Sequence, residues 1–130
     1  MSEGGLSEAV RRFVSEHVDS AEQLDILLLL HREPEKAWTA MDVSQAIYTV
    51  PASATMRLER LVAEGFLTSS GGSNPTYTYS PASEKLRNEV VELAAAYKED
   101  RVAVIKLIFA RPPDPVESFS EAFRIRGKRD

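Results

Sequence analysis

The chain has 130 residues, 43% of them apolar and 28% charged, a balance that fits one folded domain with a real core and excludes wholesale disorder. Sixteen Lys and Arg against twenty Asp and Glu give a net charge of −4, so the chain as a whole exerts no attraction on nucleic-acid phosphates. Without cysteine there is no disulfide, thiol nucleophile or cysteine-ligated zinc, and two histidines well apart in sequence lack metal-ligand spacing.

The start MSEGGLSEAV is acidic and polar, unlike a signal peptide. The longest apolar run, residues 26–30, falls far short of the roughly 20 residues that span a bilayer. The expectation is a soluble cytoplasmic protein without membrane contact. Leu6, Val10, Phe13, Val14 and His17 recur at helical spacing and predict a first helix with one buried stripe, with His17 partly buried at its end rather than catalytic. Ser20 and Gln23 have the form of a capping box opening a second helix. Leu24 and Ile26 to Leu30 occupy nearly its whole circumference, which predicts a central core helix ended by Pro34. The polar link 31–36 reads as a loop, and Trp38 as a core anchor after it.

Thr39 and Asp42 repeat the capping-box spacing before a short helix whose buried stripe is Val43, Ala46 and Ile47. Pro51 suits the first turn of a following helix, on which Ala54, Leu58, Leu61 and Val62 share a face. Gly65 sits where a helix end needs a left-handed residue. Residues 66–68 and 76–79 read as two strands around the turn cluster SSGGSNP. Pro81 and Ser83 open one long helix up to Ala110. Near its end Val102, Ile105, Ile108 and Phe109 share a face, Val104 lies at the edge and Leu107 points nearly opposite. A small domain cannot cover all of these, which predicts a second subunit. Arg111 to Pro115 form a stiff turn. Val116, Phe119, Ala122 and Phe123 then give a short amphipathic tail helix, followed by the cations Arg124, Arg126, Lys128 and Arg129.

The fold class is therefore mainly α with a small β-wing. Residues 1–19 form an N-terminal helix or arm, 20–82 a winged-helix domain, 83–110 a long C-terminal dimerisation helix, and 111–130 a proline-rich turn and tail helix. No catalytic constellation stands out. Glu99 and Asp100 are adjacent on a helix and diverge, no Ser/His/Asp set has a nucleophile-elbow context, and Gly71-Gly72 is turn chemistry. No cofactor is implied.

This order, with the motif LERLVAEGFL at residues 58–67, resembles the winged helix-turn-helix transcription regulators over about residues 20–110. The multiple-antibiotic-resistance-type and PadR-type groups are similar in layout, and the tail IKLIFARPPDPVESFSEAFRIR resembles one in a group of uncharacterised small bacterial proteins. The resemblance implies a regulator that binds double-stranded DNA as a homodimer. Its longer helix would enter the major groove, its wing would reach the minor groove or phosphates, and its terminal helices would pair about a two-fold axis. Carried onto this chain, Ser53, Met56, Arg57 and Arg60 would face the DNA with Thr55 on the flank, and Val102, Ile105, Ile108 and Phe109 would serve dimerisation. Arg57 and Arg60 would meet phosphate or guanine, and Ser53 and Thr55 phosphate. The charges point elsewhere. Residues 39–79 hold only these two cations against Asp42, Glu59 and Glu64, a net of −1, and the wing tip is uncharged. The alternative is a winged-helix module that binds a protein, through exposed Met56, the neutral wing or the tail helix at Val116 to Phe123, with the basic end holding an acidic partner.

Overall fold

The computed structural model describes residues 6–110. Within them the order is α1 (Glu8–His17), α2 (Ala21–Arg32), β1 (Trp38–Thr39), α3 (Ala40–Ile47), α4 (Pro51–Ala63), β2 (Leu67–Ser69), β3 (Thr76–Tyr79), α5 (Glu84–Glu99) and α6 (Arg101–Ala110). This is a mostly helical fold with a small sheet. The tail helix expected around Val116, Phe119 and Phe123 lies outside the described residues.

α1 starts at Ser7, whose hydroxyl accepts from the Val10 N–H, and it buries Val10, Phe13 and Val14 as its spacing predicts. α2 is the core helix. Leu24 and Ile26 through Leu30 are all buried, and at roughly 1.5–3 kcal/mol per fully buried side chain it contributes more to the core than any other element. The capping box at its start forms only by half. Ser20 Oγ accepts from the Gln23 N–H, but the buried Gln23 amide turns back and donates to the His17 carbonyl at 3.0 Å. That bond fastens the end of α1 to the start of α2.

The Thr39–Asp42 box is complete, with both reciprocal bonds at 3.0–3.1 Å. The buried side of α3 is Val43 and Ser44, with Ile47 half-buried; Ala46, expected on the stripe, is exposed. Ser44 replaces it at no cost in orphaned groups, because its hydroxyl donates to the Met41 carbonyl. Tyr48 ends α3 in the left-handed region at φ 61. Pro51 opens α4, and Ala54, Leu58 and Leu61 are its buried face. At its other end the Gly65 N–H bonds the Val62 carbonyl and the Phe66 N–H the Leu61 carbonyl, the paired arrangement of a Schellman turn. Gly65 has φ +93, which strains any residue with a Cβ, and an added Cβ would stand 3.2 Å from Leu86 Cδ1 and push that side chain back by a few tenths of an ångström.

The strands form a three-stranded antiparallel sheet in the order β1-β3-β2, with Trp38 opposite Tyr77 and Thr68 opposite Thr78. Trp38 is thus both the expected core anchor and a third strand, which pins the wing to the loop before α3. Phe66, expected to start the first wing strand, belongs instead to the turn, where it is fully buried and meets Phe13 edge-on at 5.6 Å.

The expected single long helix is two. Asp100 leaves helical geometry (φ −147, ψ 72) and its carboxylate accepts from the Ala103 N–H at 3.1 Å, capping α6 as a new helix. The break lets α6 lie against α1 and α5, and it re-sorts the predicted dimerisation face. Ile108 and Val104 go into the chain's own core, Ile105 and Leu107 are half-buried, and Val102 and Phe109 stay exposed at 62% and 77%. A helix that packs on its own domain cannot offer all four residues to a partner.

His31, near the end of α2, packs edge-on against Tyr79 at 5.3 Å. Burial pushes its imidazole pKa below the ordinary value, and the charge of Arg32 adds to this. Folding therefore favours the neutral ring, so its contribution to stability is complete above about pH 6.5 and is lost as the pH falls below that value. In urea titrations the midpoint of the wild type should drop between about pH 7.5 and about pH 5.5 by more than that of His31→Gln. Equal drops would show that His31 carries no linkage.

Candidate nucleic-acid interface

α3, the Tyr48–Val50 turn and α4 form the helix-turn-helix, and β2 and β3 form a wing beside it. Tyr77 joins the two parts. Fully buried at the wing root, it donates its hydroxyl to Glu59 of α4. Burial, then the bond to Glu59 and its charge, push the Tyr77 pKa up to about 12. The wing tip is exposed, and Gly71 and Gly72 adopt φ +76 and +86 in open space, so they serve the turn and not a close approach.

The five residues assigned to DNA contact divide between two sides of α4. Thr55 and Met56 are exposed, in line with Ala52 and Glu59. Ser53, Arg57 and Arg60 are half-buried and turn toward the corner between α1 and α2. Two carboxylates wait there. Arg57 bonds Asp19 through Nη1 at 2.9 Å and Glu22 through Nε at 3.1 Å. Arg60 bonds Asp19 through Nη1 and Glu64 through Nε, the latter at 3.0 Å. Ser53 and Thr49 both donate to Glu22, and Glu64 also meets His17 Nδ1 at 2.9 Å.

Local rules place each member. Asp19 and Glu22 flank the Ser20 cap, where the positive end of the α2 dipole favours acids. Arg57 and Arg60 are one turn apart, and Glu64 is four residues beyond Arg60. Desolvation raises the Glu22 pKa, but bonds from Thr49, Ser53 and Arg57 and the Arg57 charge outweigh it, and the result is lowered. The Glu22 contribution is therefore present above about pH 4.5 and fades as the pH falls below it. For Arg60 the Glu64 bond and the Asp19 charge exceed desolvation, and its pKa is raised.

Two guanidinium groups thus face three carboxylates of their own chain. The side chains of Arg57 and Arg60 remain 20% and 40% exposed, so a phosphate can reach them only by competing with these carboxylates. Sequence reasoning found the arginines and missed Asp19, Glu22, Thr49, Glu64 and His17. The only local signal was the acid pair around Ser20, which reads equally well as ordinary helix capping.

What α3 and α4 turn outward is largely apolar. Met41, Tyr48, Val50 and Met56 are 52–94% exposed. α4 begins at Val50 without a side-chain cap, so its first N–H groups are not satisfied by a capping side chain.

No protein-family model matches the sequence, and a search among curated proteins returns no match. Solved structures do match. The MepR F27L mutant of S. aureus bound to an oligodeoxyribonucleotide is 10% identical with a TM-score of 0.54, over 92% of this chain and 85% of that one. The adhesin competence repressor AdcR of Streptococcus pyogenes is 15% identical with a TM-score of 0.52, over 88% and 82%. BpsR of Bordetella bronchiseptica, whose DNA binding is regulated by 6-hydroxynicotinic acid, is 21% identical with a TM-score of 0.50, over 94% and 83%. At these identities the likeness is one of fold. The chain has the winged helix-turn-helix fold of bacterial transcription regulators.

Proposed function

We propose that the chain is a DNA-binding regulator that acts as a homodimer and docks α4 on duplex DNA with only weak affinity for phosphate. The observation that carries this reading is the build of α4 itself: an N-terminus without a side-chain cap, exposed Thr55 and Met56 beside the wing, and two arginines within reach but engaged by Asp19, Glu22 and Glu64. Free N–H groups at a helix start favour a phosphate oxygen. The S. aureus MepR neighbour is itself bound to an oligodeoxyribonucleotide, which supports the same use of the shared fold. The dimer reading rests on Val102 and Phe109, two large apolar side chains exposed on one flank of α6.

Binding to random-sequence duplex at low salt tests the reading, because non-specific binding is then strongest. Binding is expected, and Arg57→Ala and Arg60→Ala should each weaken it and lower the salt slope by about 1 for every phosphate left without its arginine. No binding at low salt by a folded protein would overturn it. Sedimentation tests the dimer, and a monomer at micromolar concentration would remove that part.

A second reading, docking of a protein on the helix-turn-helix face, is favoured by one specific observation. Tyr48 keeps a left-handed backbone, which costs a non-glycine residue on the order of 1–2 kcal/mol, while its side chain is 94% exposed. Met41, Val50 and Met56 are exposed as well, large apolar side chains on α3, α4 and the turn between them that suit a protein contact.

A further inference from the structure

His17 ends α1 beside the arginine–carboxylate cluster and is its only imidazole, the side chain whose charge changes nearest physiological pH. Its Nδ1 stands 2.9 Å from Glu64 Oε1, and its Nε2 stands 3.8 Å from Glu16 on its own helix. The other oxygen of Glu64 accepts from Arg60 Nε at 3.0 Å, so His17 and Arg60 hold one carboxylate between them. Arg60 also reaches Asp19, and Asp19 bonds Arg57. The ring otherwise meets aromatic carbon, from Phe13 at 4.9 Å and from Phe66, edge-on at 5.2 Å, in the turn after α4. Among the described residues, the ionisable groups seen to face it are therefore Glu16 of α1 and Glu64 at the end of α4, with Arg60 and Asp19 behind Glu64. The buried Gln23 amide fixes the position of His17 by donating to its carbonyl. With a neutral ring, Arg57 and Arg60 set two positive charges against the three negative ones of Asp19, Glu22 and Glu64. A proton on His17 makes the numbers equal.

We propose that His17 makes DNA binding acid-responsive: a proton on its imidazole lets Glu64 release Arg60 to a backbone phosphate, and the phosphate-bound state in turn retains that proton. This rests on the DNA-binding reading above and adds the regulation of the same site. When Arg60 leaves, Asp19 keeps Arg57, so only Glu64 is left without a guanidinium. Glu64 is partly buried, and removing the cation from a partly desolvated carboxylate is unfavourable. An imidazolium at 2.9 Å takes the place of that cation, so the release of Arg60 costs less. Linkage makes the effect reciprocal. Once Arg60 has turned to phosphate, a positive charge that opposed the imidazolium is gone, and Glu64 serves His17 alone. The DNA complex then binds the proton more tightly than the free protein does, and affinity rises as the pH falls. Two further features favour the charged ring in both states: Glu16 at its second nitrogen and the C-terminal end of α1, whose dipole stabilises a cation.

Fluorescence anisotropy of the full-length protein with random-sequence duplex at one fixed low salt, from about pH 8 to about pH 5.5, tests the proposal. Affinity should rise on the order of ten-fold across this range, the usual effect of one neighbouring charge on a titrating group. His31→Gln removes the only other histidine of the chain and should keep the rise. His17→Gln should flatten it. So should Arg60→Ala, because the proton acts through that arginine and not through its own charge on the DNA. NMR of the His17 ring C–H signals gives a readout that needs no change at the site, and their titration midpoint should move to higher pH when DNA is added. A wild-type affinity indifferent to pH, a full rise in His17→Gln or in Arg60→Ala, or an unmoved midpoint would each overturn the proposal while leaving DNA binding in place. No binding at any of these pH values by the folded protein would overturn both.

Discussion

Asp19→Asn combined with Glu22→Gln is expected to tighten binding to random duplex DNA at low salt by on the order of ten-fold, equivalent to about 1.4 kcal/mol. Arg57 reaches phosphate in the wild type only by giving up Asp19 and Glu22, and Arg60 only by giving up Asp19 and Glu64. The amide replacements keep the shape and the acceptor oxygens of both side chains but remove two of the three negative charges. They also remove repulsion between these carboxylates and an approaching phosphate, which acts over a Debye length of roughly 10 Å at 0.1 M salt. Salt dependence should steepen as well. Each arginine still held by its carboxylates in the wild-type complex and freed in the variant contributes about 0.9 to the slope, so the gain is smaller the more Arg57→Ala and Arg60→Ala lower the slope of the wild type. The variant should remain folded, because partly exposed ion pairs are each worth only about 0–1 kcal/mol. Fluorescence anisotropy across a salt series checks both numbers. An unchanged affinity and slope in a folded variant would mean that Arg57 and Arg60 do not meet phosphate, and would move weight to the protein-docking reading.

Phe66→Ala is expected to cost about 3–5 kcal/mol, a large part of the roughly 5–15 kcal/mol that stabilises a domain of this kind. Phe66 is fully buried at the turn that ends α4 and starts the wing, edge-on to Phe13 at 5.6 Å and to His17 at 5.2 Å. Truncation opens a cavity between α1 and the wing, and Gly65 before it is fixed by the Schellman bonds and by Leu86, so the backbone cannot move in to fill it. The urea midpoint should fall with an unchanged denaturant slope, which marks a loss of stability and not a change in compactness. A cost below about 1 kcal/mol would mean that the cavity collapses and that Phe66 does not tie α1 to the wing.

The features legible in the sequence were those set by neighbours in the chain. The Thr39–Asp42 box, Pro51 at the first turn of α4, Gly65 past its end and the wing turn, though it starts after Ser69 and not at it, formed as their spacing predicts, because capping and turn geometry are decided within three or four residues. The near-complete apolar circumference of α2 likewise identified the core helix, since only burial on several sides tolerates it. The first helix, short helix, longer helix and wing therefore follow from sequence alone.

Tertiary contact decided the rest. β1 exists because Trp38 and Thr39 pair with Tyr77 and Thr76, and a two-residue strand carries no pattern of its own. Asp100 read as one more residue of a continuous helix, since Lys98, Glu99 and Arg101 around it fit one. The break is favourable only when Val104 and Ile108 find the core, which removed Ile108 from the predicted dimer face. The arginines depended most on the fold. Their side of α4 could be projected from spacing, but the carboxylates that hold them lie 35 to 41 residues away, Glu64 excepted. Only the packing of α2 against α4 brings Asp19 and Glu22 to Arg57 and Arg60. The sequence by itself determined a helix-turn-helix with a wing and two cations on it. The tertiary structure decided that those cations face acids of their own chain, because charge pairing acts through space and not along the backbone.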